Sequence, residues 1–131
     1  MTSSYLDLAP LYGSNEQEQK RVRTFKDGKL KPDCFSEERL AGFPPGVAVL
    51  LLCFNRFHNY AVDQLAAINE NYKFSVPDKN AVEKKVRKTM KGSKEEEIQN
   101  AVAKAYDDAV VKRDDDLFQT GRLYHPRCFL R

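Results

Sequence analysis

At 131 residues the chain is at most one domain, and its formal net charge of +3 is too small to mark a nucleic-acid binder. Three cysteines, Cys34, Cys53 and Cys128, form no Cys-x-x-Cys pair. They suggest neither a disulfide framework nor a zinc site, which suits a reducing, intracellular setting.

The polar N-terminus has no apolar signal core behind it, and Val47–Phe54 is too short to span a bilayer, so no transmembrane segment is expected. Residues 1–14 read as an extended loop broken by Pro10 and Gly13, and polar Asn15–Arg23 as one or two helical turns. Asp27-Gly28 is a type I′ hairpin signal, because both central residues of that turn need positive φ. Pro32–Pro45 reads as a loop ending in a proline suited to a first helical turn, where the missing amide costs nothing.

Gly46–Asn71 is the dominant predicted helix. It is so apolar (Val47, Val49, Leu50, Leu51, Leu52, Phe54, Phe57, Val62, Leu65, Ile68) that it should be mostly buried. Yet it carries Asn55, Arg56, His58 and Asn59, whose burial costs several kcal/mol, about 2–7 per group, unless each finds a partner. A structural hydrogen-bond network is therefore expected around them.

The second half is charged and helical. A short basic helix, Ala81–Lys91, is separated by Gly92 from a longer one opened by a capping box, Ser93 with Glu96. Ile98, Ala101, Val102, Ala105, Ala109 and Val110 then share one face. The Lys/Glu-rich faces read as solvated surface, although Val82–Lys91 also has the form of a membrane-surface or calmodulin-target stretch. Asp114 is read as the cap of a last helix starting at Asp115, which Pro126 should break. The fold class expected is all-α with at most one short hairpin, and no internal repeat is present.

Four collinear segments carry a resemblance. Asp7-x-x-x-x-Tyr12-Gly13-Ser14, the hairpin stretch Arg23–Lys31, Arg56-x-His58-Asn59 and Leu117-Phe118-Gln119-Thr120-Gly121-Arg122-Leu123 are similar to motifs of the fungal fatty-acid dioxygenases. That group comprises linoleate diol synthases and psi-factor-producing oxygenases, within the animal-type haem peroxidase and cyclooxygenase superfamily. The resemblance implies that residues 1–123 are part of a mainly helical haem dioxygenase domain, with 124–131 a divergent tail. It also implies haem b, a polyunsaturated fatty acid and O2 for the intact enzyme, with peripheral lipid association and homo-oligomerisation open.

The family's proximal haem histidine and radical tyrosine lie in a Tyr-Arg-Trp-His motif, and this chain contains no tryptophan. Its two histidines are His58, which matches a structural position, and His125 in the tail. No catalytic residue is assigned. Arg39 is the candidate for the haem edge. Ser3, Tyr5 (through its carbonyl) and Asp7 match a calcium loop, but Ala9 stands where the last hydroxyl ligand belongs, so the oxygen set is incomplete. Arg56, His58 and Asn59 are expected to be structural. Two functions follow: a fragment of a haem-dependent linoleate-type dioxygenase, itself inactive alone, or a non-catalytic helical remnant or interaction module.

Overall fold

The computed structural model describes residues 8–36 and 38–129, and the side chains of all of these except 38, 41 and 125–129. Five α-helices follow one another: α1 (Ala9–Tyr12), α2 (Glu16–Val22), α3 (Pro45–Ile68), α4 (Lys79–Thr89) and α5 (Glu95–Phe129). Two 3-10 turns, Glu38–Gly42 and Glu70–Tyr72, punctuate them. Among the described residues there is no strand, only one antiparallel bridge between Arg23 and Leu30. The all-α expectation holds.

Local chemistry sets the ends of these helices. Asn15 caps α2 by accepting the Glu18 amide at 2.9 Å, with Glu16 and Glu18 in the first turn and Lys20 and Arg21 in the last, matching the helix dipole. Pro45 opens α3, and Asn69 closes it in the left-handed region at φ 43°. Asp78 caps α4 through the Asn80 amide at 3.0 Å.

The hairpin signal resolves into a tight turn. Asp27 and Gly28 have φ of 54° and 68°, both positive as a type I′ turn requires. Lys29 donates its amide to Lys26 at 3.2 Å, Thr24 to Lys29 at 3.0 Å and Lys31 to Val22 at 2.7 Å.

Three sequence expectations need correction. Helix α5 begins at Glu95 and leaves Ser93 outside, so the start lies two residues beyond the proposed Ser93 cap. No new helix starts at Asp115: α5 runs on through Asp114, whose side chain is buried and tied to Arg23 rather than capping anything. Nor does Pro126 stop the helix, which reaches Phe129. A proline near the end of a 35-residue helix removes one backbone bond and leaves the others in place.

The core lies where α1, α2 and the hairpin pack against α3 and α5. Leu11, Tyr12, Val22, Leu30, Leu40, Leu51 and Phe118 form its main cluster, and Val62, Phe74 and Leu117 a second. Gly121 lets α3 and α5 approach closely, since a Cβ there would stand 2.6 Å from Val62 Cγ2. Burial of α3 is one-sided. Leu51, Asn55, His58 and Val62 are buried, whereas Val49, Leu50, Tyr60 and Ile68 are exposed.

Candidate functional site: a buried polar clamp around His58

His58 sits on the inner face of α3 with no solvent exposure. Its Nε2 lies 3.0 Å from the Gly28 carbonyl and its Nδ1 2.8 Å from the Tyr12 hydroxyl. A carbonyl can only accept, so Nε2 carries the proton. In the neutral ring Nδ1 is then an acceptor, and the Tyr12 hydroxyl donates to it. Burial holds the imidazole neutral, lowering its pKa to about 4, with the Arg23 charge adding to the effect and the Gly28 bond opposing it. Burial likewise pushes the Tyr12 phenol well above its ordinary value. Phe118 closes the pocket, its ring 5.5 Å from His58 and 5.9 Å from Tyr12.

The turn that meets His58 is also held from α5. Asp114 accepts the Gly28 amide at 2.6 Å and the Arg23 guanidinium at 2.6 Å, while Asp115 takes the other arm of Arg23 at 2.6 Å. The guanidinium also lies over the rings of Phe118 (4.3 Å) and Phe25 (4.8 Å). Gly28 thus donates to α5 and accepts from α3. Its backbone is pinned between them.

Asn59 completes the hairpin. Its amide gives Leu30 both hydrogen bonds that a neighbouring strand would supply, donating to the Leu30 carbonyl at 3.1 Å and accepting its amide at 2.8 Å. Asn55 donates to the Lys31 carbonyl at 3.0 Å. Arg56 is exposed and pairs in bidentate fashion with Asp33, both bonds 3.1 Å. Asn55, Arg56, His58 and Asn59 therefore all bind the one segment, residues 28–33, with His58 reaching Tyr12 as well.

Other sequence candidates lie apart. Arg39 is exposed on the turn Glu38–Gly42. Ser3, Tyr5 and Asp7 lie outside the described residues, as does the His125 side chain. Among the described residues no three His, Cys, Asp or Glu side chains are grouped to hold a metal ion. Cys34 and Cys53 are free thiols. A groove of about 520 Å3 runs between α4 and α5, floored by Ile98, Val102 and Tyr106, remote from the His58 set.

Sequence reasoning missed the Arg23–Asp114 pair. The signal available was weak: Arg23 stood inside a hairpin motif, and Asp114 headed an acidic triplet that looked like a cap.

Comparison with known proteins gives this clamp its context. Over 122 residues, 93% of the chain, it is 56% identical to the psi-producing oxygenase A of Emericella nidulans. The linoleate 10R-lipoxygenase of Aspergillus fumigatus shares 52% over 122 residues, and the 7,8-linoleate diol synthase of Pyricularia oryzae 49% over 125. The matched stretch makes up 9%, 9% and 8% of these relatives, so the chain spans less than a tenth of the length of the curated relatives it matches. No protein-family model matches the chain, and no solved structure does.

Proposed function

We propose that this chain, a homologue of one segment of the psi-producing oxygenases and linoleate diol synthases, is a scaffold piece of a haem-dependent fatty-acid dioxygenase. The intact enzyme would insert O2 into linoleate-type substrates to give hydroperoxides. The observation that carries the reading is the commitment of both His58 ring nitrogens, one to Tyr12 and one to Gly28. An axial ligand needs a free imidazole nitrogen aimed at the iron. His58 has none, so its place in the Arg-x-His-Asn motif is that of a brace, and no catalytic step is routed through these residues.

The clamp supports what such an enzyme needs. Rate depends on reacting groups held to within about 1 Å, and a rigid helix pair supplies that from a distance. Exchanging the matched stretch of psi-producing oxygenase A for residues 8–123 of this chain tests the role. The chimera should bind haem and form one regiospecific hydroperoxide from linoleic acid. A folded chimera that binds haem yet gives only a racemic mixture would overturn the scaffold assignment.

A second reading, a non-catalytic helical module, draws on the same commitment of His58. Purified chain mixed with haemin and linoleic acid separates active from inactive forms. The expected outcome is no stereospecific product above free haemin and no stoichiometric Soret band.

A further inference from the structure

Helix α4 divides its side chains between two faces. Val82, Val86 and, at the C-cap, Met90, each four residues apart, are half-buried, and α4 packs along α5. Lys79 lies 5.2 Å over the Tyr106 ring, and Arg87 is held by Glu83 and Glu95 at 2.8 Å each. The outward face carries Lys84, Lys85 and Lys88, with Lys91 just beyond the helix, all exposed. The ion pairs among the described residues involve none of these four. From Lys79 to Lys94 there are seven basic side chains and one acidic, an excess larger than the +3 of the whole chain.

The corner leading into α4 is strained and exposes three large apolar side chains among polar ones, the acidic Glu70 included. Asn71 and Tyr72 have φ of 54° and 57°, a region costly for residues with a Cβ, and for a bulky tyrosine especially. The corner is fastened from beneath. Phe74 is buried, its amide donates to Asn69 Oδ1 at 2.8 Å, and its carbonyl accepts Arg113 Nε at 2.7 Å. Held this way, Ile68, Tyr72 and Val76 stand out at 71%, 85% and 69% exposure, far above the level of a packed loop. Strain that fixes a bulky apolar group in solvent calls for a functional explanation.

We propose that the corner Ile68–Val76 and the outward lysines of α4 dock the protein onto a bilayer carrying anionic phospholipid headgroups. The chemistry matches at each level. Lysine ammoniums meet headgroup phosphates, a tyrosine ring suits the headgroup depth, and the two aliphatic side chains reach the acyl boundary. Among the described residues no helix is long and apolar enough to cross a membrane, so this attachment is peripheral. A soluble acidic protein would match the lysines but not the exposed apolar side chains of the corner that leads into their helix.

Co-sedimentation of the full chain with phosphatidylcholine vesicles, with and without phosphatidylserine, tests the proposal. Binding should require phosphatidylserine and fall with added salt. Changing Lys84, Lys85, Lys88 and Lys91 together to Gln should weaken it by roughly several hundredfold, at about fivefold per lysine, with helix content unchanged by circular dichroism. Tyr72→Gly separates docking from folding. It relieves the positive φ, so thermal stability should hold or rise while vesicle binding falls about tenfold from the lost apolar side chain. Equal binding to both vesicle types, or undiminished binding of the quadruple variant, would overturn the proposal. So would capture by soluble poly-glutamate without vesicle binding, which would assign the lysine face to an acidic protein.

Discussion

His58 shows how a polar residue becomes tolerable in an apolar helix. Both its nitrogens are satisfied, so its burial costs little as long as it stays neutral. Its folded pKa of about 4 lies below the ordinary 6.5, so between those values the unfolded chain binds the extra proton and the folded one does not. Stability from this residue is complete above pH 6.5 and is lost as pH falls toward about 4, a loss of about 3 kcal/mol over the window. Urea titrations of wild type and His58→Gln across that window should differ in slope by close to one proton; parallel curves would show that His58 is not buried neutral. Tyr12→Phe leaves Nδ1 without its donor and should cost about 1–3 kcal/mol. Arg23 and Asp114 are a stricter case, with side chains 7% and 8% exposed. Asp114→Ala leaves one arm of the buried guanidinium and the Gly28 amide unpaired while Asp115 still holds the other arm, and should destabilise by about 2–4 kcal/mol. Joint replacement as Arg23→Met with Asp114→Leu removes the buried charge but leaves the Gly28 amide unpaired, so it should recover only part of the loss in the same denaturation assay. That His58 and Asn59 would need partners was legible from their setting in an apolar run, whereas Arg56, expected to be buried with them, lies exposed and pairs with Asp33 at the surface. That all of them bind one hairpin was not, because the partners are backbone atoms of residues 28–30 and a carboxylate at Asp33, which carry no pattern of their own.

Among the elements, the turn at Asp27-Gly28 was the most legible, because a dipeptide with two positive φ values has few other uses. The least legible was the continuity of α5. Acidic triplets and prolines mark helix boundaries on average, but here Asp114 is needed in mid-helix to reach Arg23, and that tertiary demand overrides the local signal. Two glycines set how closely the elements pack. A Cβ on Gly121 would overlap Val62 Cγ2 at 2.6 Å and crowd His58 Cε1 at 3.0 Å, so Gly121→Ala should destabilise by about 1–3 kcal/mol through forced separation of α3 and α5. Gly28→Ala should be worse. Its φ is +68°, and the new atom would meet the Phe118 amide nitrogen at 2.6 Å, which is backbone and cannot turn aside. Thermal melts ranking Gly28→Ala below Gly121→Ala, and both below wild type, check the order.

For the molecule as a whole, surface area points to missing cover. The chain exposes 9514 Å2, against about 7,100 Å2 expected of a compact monomer of its mass. Part of that surplus lies on α3, where Leu50, Cys53, Phe57 and Tyr60 follow one another at three- and four-residue spacing on the face away from His58, every one exposed. A seam of this kind on a helix whose other face is already packed is the mark of an interior element with one neighbour absent. Relatives more than ten times the length of the matched stretch have ample chain to supply that neighbour. The isolated 131 residues do not, and should self-associate through this seam. Sedimentation velocity should show mass rising with concentration, and Leu50→Lys with Tyr60→Lys should return the chain to monomer while leaving the clamp at His58 intact. If the wild-type chain sediments as a monomer at all concentrations, the seam is not an uncovered interior face, and the scaffold reading loses its support at the scale of the molecule.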